Sequence, residues 1–219
     1  QLAYNDQSRL TWPAGVMYFY ADGSASTRDI FTGAARTLVS SYDAGQKTHS
    51  LAGYGQGTLA LGGDTNLTLG GRYTDDRQEL YGTLTSRTGV VRPSDATRKA
   101  SFSAFTYKVG IDHHFTPGVM AYATVSTGFK SGVYNITFAT PTDAPVRPEK
   151  LTSYEAGLKA ELLDRRLRLN LTSFYYDYSD IQLNTFVGTT VLLLNAASAE
   201  IYGAEAQLDA SLTSRLRLS

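Results

Sequence analysis

The sequence contains no cysteine, only six prolines, no excess charge of either sign and no long apolar run. Without cysteine there are no disulfides, no thiolate metal sites and no cysteine nucleophile. Twenty Lys and Arg against twenty Asp and Glu leave no net field to attract nucleic acid, so no nucleic-acid partner is expected. The longest purely aliphatic stretch, residues 191–194, is far short of the roughly 20 residues of a spanning helix, which excludes a helical membrane protein. Residues 1–9 lack a basic start followed by an apolar core, so the first residue is not expected to be a native start. What is abundant is tyrosine, phenylalanine and glycine, at 15, 9 and 20 residues. These types suit pleated surfaces, membrane interfaces and tight turns.

A barrel strand needs only about 9–11 residues to cross a bilayer and is apolar at every second position. That period recurs along the chain. In residues 66–74, Leu67, Leu69, Gly71 and Tyr73 alternate with Asn66, Thr68, Gly70, Arg72 and Thr74. In residues 103–115, Phe105, Tyr107, Val109 and Ile111 oppose Thr106, Lys108, Gly110 and Asp112. The same holds for Tyr154, Ala156, Leu158, Ala160 and Leu162, for Leu167, Leu169 and Leu171, and for Tyr202, Ala204, Ala206, Leu208, Ala210 and Leu212. Residues 51–61, 119–129 and 16–20 complete a set of about eight strands. No Lys, Arg, Asp or Glu interrupts the centres of the apolar faces.

The connections alternate between short and long. Short turns are read at Gly62-Gly63-Asp64, Thr116-Pro117-Gly118, Asp164-Arg165-Arg166 and Thr213-Ser214-Arg215. Gly63 to Pro117 is 54 residues, Pro117 to Arg165 is 48 and Arg165 to Ser214 is 49. Long loops are expected at about residues 22–48, 75–100 and 130–151, with a shorter one near 185–190. Short turns on one side and long loops on the other mark an outer-membrane barrel, whose short turns lie in the periplasm.

The segments YATVSTGFKSGVYN (122–135) and RPEKLTSYEAGLKAELLDRRLRLNLTSFYYDYSDIQL (147–183) resemble the C-terminal barrel strands of TonB-dependent receptors. LTLGGRYTDDR (67–77) and NAASAEIYGAEAQL (195–208) add to the resemblance, in family order from about residue 51 onward. The resemblance implies an all-β, transmembrane antiparallel barrel of 22 strands, of which residues 1–219 supply about eight. It places the protein in the bacterial outer membrane, among lipid. It implies active import of a scarce small-molecule ligand, with an iron chelate such as a ferric siderophore first among the candidates. Energy would come from the TonB-ExbB-ExbD complex, contacted through an N-terminal region and plug not expected in this chain. A small passive or adhesive outer-membrane barrel is the alternative, and a soluble β-rich binding module a third reading.

No nucleophile, base and orienting group occur in a recognisable arrangement, so no enzyme and no cofactor are expected. Adjacent His113 and His114 point to opposite faces of a strand and do not share an ion, and His49 has no evident metal partner. Asp75, Asp76 and Glu79 could meet a cation or basic ligand, although pairing with Arg72 and Arg77 explains them as well. Gly53, Gly55 and Gly57 lack the lysine of a phosphate loop and are read as places where a strand bends, or where a plug or aromatic ring comes close. Asn66, Asn135 and Asn170 open glycosylation triplets that a bacterial barrel does not use. The clusters at Tyr18-Phe19-Tyr20 and at residues 174–178 suit an interfacial girdle, with the lumen-facing half available to stack on a ligand. Glu155, Lys159, Glu161, Arg168 and Glu205 are read as a polar lumen wall. Lys130, Tyr134, Arg147 and Lys150, around the third long loop, are the candidate vestibule residues for an anionic ligand.

Overall fold

The computed structural model describes residues 2–5, 9–32, 37–86, 89–92, 97–135, 144–187, 190–195, 198–211 and 216–218. Among the described residues there are thirteen strands: β1 (Leu2–Asn5), β2 (Leu10–Thr32), β3 (Thr37–Gly62), β4 (Thr65–Ser86), β5 (Gly89–Arg92), β6 (Arg98–Thr116), β7 (Val119–Lys130), β8 (Glu149–Leu162), β9 (Leu167–Ser179), β10 (Gln182–Val187), β11 (Thr190–Asn195), β12 (Ser198–Ser211) and β13 (Arg217–Leu218). Eleven form one open sheet in the order β1-β2-β3-β4-β6-β7-β8-β9-β12-β13, with β5 on β4, and β10-β11 form a separate hairpin. Every strand pair is antiparallel.

The eight long strands coincide with the eight read from periodicity. Three of the four expected short turns are present between β3 and β4, β6 and β7, and β8 and β9. At the first, Gly63 and Asp64 both have positive φ (58° and 57°), as a two-residue hairpin turn matched to strand twist requires. The fourth turn, Thr213-Ser214-Arg215, lies outside the described residues.

Strand pairing carries one face across the whole sheet. Leu69 pairs with Val109, Val109 with Val125, Val125 with Tyr154, Tyr154 with Tyr175 and Tyr175 with Tyr202. This outward face is exposed and apolar: Leu69, Phe105, Val109, Ile111, Leu171, Tyr202 and Leu208 are all open to the surroundings. Near the short turns it carries Trp12 and Phe115. About eight residues further along it carries Tyr73, Tyr107, Tyr154, Tyr175 and Tyr202, roughly 20 Å higher for tilted strands. Beyond that tyrosine row, ionisable side chains take over the outward positions on strand after strand: Asp22 on β2, Lys47 on β3, Asp75 on β4, Lys99 on β6, Lys150 on β8, Asp177 on β9 and Glu200 on β12. Two aromatic rows bounding a charge-free band match the profile of a bilayer.

The opposite, inward face is polar. Glu161 pairs in register with Arg168 and binds it at 3.1 Å, Asn66 donates to Asp112 at 2.8 Å, and Glu155 accepts from Tyr176 at 3.1 Å. His113 turns outward against Phe115 and Thr65, while His114 turns inward beside Asp112. Aromatic rings lie over glycines here, but not over the expected ones. Gly53, Gly55 and Gly57 share the outward face with Leu51 and Leu59 and meet no ring. On the inward face, rings cover other glycines. Tyr54 covers Gly15, Tyr122 covers Gly157 and Phe174 covers Gly203, each directly opposite in register. A Cβ on Gly157 would stand 2.6 Å from the Tyr122 ring.

Two of the expected long loops are mostly strand. β2 and β3 stay paired from Asp22↔Lys47 out to Thr32↔Thr37, and β4 runs to Ser86 beside β3, β5 and β6. At 23, 26 and 22 residues, β2, β3 and β4 are at least twice the length needed to cross a bilayer. Above the tyrosine row both faces are mostly polar, apart from side chains such as Ala44 and Leu80 on the inward face, so alternation fades in the sequence although the hydrogen-bond ladder continues. The expected shorter loop near 185–190 falls on the paired ends of β10 and β11, with Val187 opposite Thr190.

Leu169 lies within the band on the outward face of β9, paired with Ala160 and Leu208. Leu169→Arg is expected to destabilise membrane assembly by about 1–4 kcal/mol, read as loss of folded protein from membrane fractions. Undiminished assembly would mean that this face does not meet lipid.

Candidate functional site

An open sheet in one layer has almost no core, and the few buried residues are concentrated in one place. Ala44, Ala52 and Leu80 are nearly fully buried on the inward face of β3 and β4, and Tyr134 and Val146 are buried from the β7–β8 connection. The described residues on either side of the third long loop therefore pack against the sheet. Residues 131–135 fold inward and cross the inner wall of the barrel above the tyrosine row.

Each contact of this crossing has a physical origin. Gly132 sits so close to the Phe102 ring and the Val146 carbonyl that no side chain fits, which gives the second glycine of the GFKSG motif its reason. Val133 and Val146 form an isolated antiparallel bridge, with Val146 N–H donating to the Val133 carbonyl at 2.9 Å. Gln46 of β3 accepts from the Tyr134 N–H at 3.1 Å, and Gln78 of β4 donates to the Ser131 hydroxyl at 3.4 Å. Burial raises the Tyr134 phenol above the ordinary tyrosine range, against a weaker opposing effect of Arg98. The ring therefore stays neutral at any physiological pH.

The β10-β11 hairpin is tied to the same loop by amide side chains acting as strand substitutes. Asn135 donates to the Leu193 carbonyl at 2.9 Å and accepts from the Leu193 N–H at 2.8 Å. Gln182 donates to the carbonyls of Ser131 and Arg147, both at 2.9 Å, while its own N–H donates to Glu149 at 3.0 Å. Asn195 accepts from the Arg147 N–H at 2.7 Å and donates to the carbonyls of Arg147 and Asp180 at 2.9 and 2.8 Å. Individually such bonds contribute about 1 kcal/mol; together they fix one arrangement of three segments.

The four vestibule candidates are divided by this arrangement. Lys130 ends β7 on the inward face, exposed and next to Ser131. Arg147 is woven into the amide network, and its guanidinium reaches Asp180 at 2.5 Å with most of the side chain still exposed. Tyr134 is only 6% exposed and anchors the loop. Lys150 lies on the outward face, paired with Phe129 and Ser179, and is turned away from the other three. Gln46, Gln78, Gln182 and Asn195 were not among the sequence candidates. Asn135 and Asn195 do fall within the family-like motifs, and that was the available signal. Among the described residues no three His, Asp or Glu side chains converge.

Gly132→Ala is expected to push the loop from the wall, destabilising its closed position by about 1–3 kcal/mol as overpacking does. Faster hydrogen exchange over residues 131–135, with the β-sheet amides unchanged, is the expected reading. Unaltered protection there would contradict the packing described.

The family described as TonB dependent receptor-like, beta-barrel matches residues 1–219. Among curated proteins, the metal-pseudopaline receptor CntO of Pseudomonas aeruginosa (strain UCBPP-PA14) is 29% identical over 150 residues, 68% of this chain and 20% of that protein. Among solved structures, the ferric yersiniabactin uptake receptor FyuA from Yersinia pestis superposes with a TM-score of 0.81 at 19% identity, covering 97% of this chain and 32% of that one. The copper transporter OprC superposes with a TM-score of 0.69 at 17% identity, covering 98% and 35%. The chain thus spans about one fifth of the curated relative and one third of the structural ones, and the structural likenesses speak for the fold. Members of the matched family are outer-membrane proteins, in accord with the charge-free band between two aromatic rows. The chain belongs to the TonB-dependent receptor β-barrel family.

Proposed function

We propose that this chain is part of a receptor that imports a scarce nutrient across the bacterial outer membrane with energy from the TonB-ExbB-ExbD complex. The ligand class we assign is a metal chelate, with a ferric siderophore first. The observation that carries this reading is the family match over the whole chain. The names of its relatives add to it, since these include a metal-pseudopaline receptor and a ferric yersiniabactin uptake receptor. In this reading β2 to β12 supply wall, and the inward-folded loop with the β10-β11 hairpin supplies part of the outer vestibule.

Lys130 and Arg147 are the vestibule cations of this proposal. An anionic chelate would be met by charge-assisted hydrogen bonds from exposed ammonium and guanidinium groups. Arg147 already shares its charge with Asp180, so a ligand would compete with a surface ion pair worth at most about 1 kcal/mol. Tyr134 supports the loop and Lys150 faces outward, so neither is given a ligand contact. No covalent step is required of the protein, and capture followed by release accounts for transport.

Uptake of radiolabelled ferric chelates by iron-starved cells carrying the full-length receptor tests this. Uptake is expected to require both the receptor and TonB, and to fall several-fold with Lys130→Ala combined with Arg147→Ala. Uptake that persists without TonB, or an absence of uptake for every metal chelate offered, would overturn the reading.

A further inference from the structure

Among the described residues, three carboxylate or amide oxygens are buried without a hydrogen-bond partner, two on side chains that hold Ser131 of the inward loop and the third two residues away on β4. They are Asp76 Oδ1, Gln78 Oε1 and Gln182 Oε1, on side chains 7%, 5% and 6% exposed. Asp76 and Gln78 are two residues apart on the inward face of β4. Gln78 and Gln182 are joined through Ser131, the first donating to its hydroxyl and the second to its carbonyl. At Gln182 the amide orientation is fixed, because exchanging its oxygen and nitrogen would set the oxygen against the carbonyls of Ser131 and Arg147.

The neighbouring acids are accounted for. Asp75 binds Arg77 at 3.0 Å and Glu79 binds Lys99 at 3.4 Å, both on the outward face. Of the three acids clustered in the sequence, only Asp76 turns inward. Arg72, on the same inward face, donates to Thr74 and Met17. A buried acceptor without a donor costs about 1–3 kcal/mol, more when charged. Three along one stretch of wall and loop are a feature to be explained by an occupant that supplies positive charge and accepts several oxygens.

We propose that Asp76, Gln78 and Gln182 form a site for a hard divalent cation, calcium, which ties the inward-folded loop to the barrel wall. A carboxylate and two amide oxygens are the donors such an ion takes, in a set that flexible loops and water complete to six to eight. Ser50, buried and directly opposite Asp76 in register, places a hydroxyl beside them. One carboxylate makes a weak site, with a dissociation constant of about 10⁻⁴–10⁻³ M, in the range of extracellular calcium modules. The loop would then be held when calcium is present outside the cell and loosened when it is removed. This inference rests on the loop packing and does not depend on which nutrient is imported.

The test is calorimetric titration of calcium chloride into purified full-length receptor freed of divalent ions by a chelator, with hydrogen exchange of residues 131–135 followed in parallel. Wild-type protein is expected to bind one equivalent more than Asp76→Asn, and calcium is expected to slow exchange of the loop in wild type only. Gln78→Glu adds a second carboxylate to the site and is expected to bind calcium about tenfold more tightly. Equal calcium binding by wild type and Asp76→Asn would overturn the proposal. So would loop protection that ignores calcium yet falls in Asp76→Asn, since a basic side chain of the protein, such as Arg98, would then be the occupant. Weaker binding by Gln78→Glu would overturn it too.

Discussion

One constraint governs the rest of the molecule: between two levels the outward face of the sheet must carry no charge. A mid-band Lys or Arg facing lipid costs about 2–4 kcal/mol, comparable to a large part of a domain's net stability. The sequence meets this on every long strand, from Leu67 and Leu69 on β4 to Ala206 and Leu208 on β12. Because strand geometry has period two, the same requirement releases the alternate positions. Polar residues collect there, where Glu161 meets Arg168 and Asn66 meets Asp112. Backbone groups have no partner in lipid, so each strand is paired along the ladder and register is fixed throughout.

The constraint also explains where the molecule becomes more elaborate. Within the band a single layer suffices, since lipid covers one face. Above Tyr73, Tyr154 and Tyr175 lipid no longer covers the wall, and the protein buries side chains against itself. Residues 131–135 of the β7–β8 loop turn inward onto Gln46, Gln78 and Phe102, and the β10-β11 hairpin is stitched to the loop by Asn135, Gln182 and Asn195. Loops positioned by a rigid scaffold are where binding residues are expected, and this loop carries Lys130 and Arg147 at its two ends.

The strands of the band were legible because burial in lipid writes a period into the sequence. Three short turns were legible through Gly63, Pro117 and Asp164. The outer parts of β2, β3 and β4 were not, and were read as loops. In Asp75, Asp76 and Arg77 both faces are polar, so the ladder leaves no trace in hydropathy. Strand parity could have separated Lys150 from Lys130, since one pairs outward beside Phe129 and the other ends the inward row of β7. The inward fold of the loop was beyond sequence reasoning. It depends on contacts such as Gln46 with Tyr134, 88 residues apart, and on Gly132 being small enough to pass Phe102.

The account is tested most directly by nitroxide scanning of residues 167–177 in the full-length receptor reconstituted in bilayers, with oxygen and a polar nickel chelate as relaxation agents. Labels at positions 167, 169, 171, 173 and 175 are predicted to favour oxygen, those at 168, 170, 172 and 174 not, and 177 to be open to the chelate. The same preference at odd and even positions, or ready access of the chelate to position 169, would contradict the claim that one face of this sheet lies in lipid.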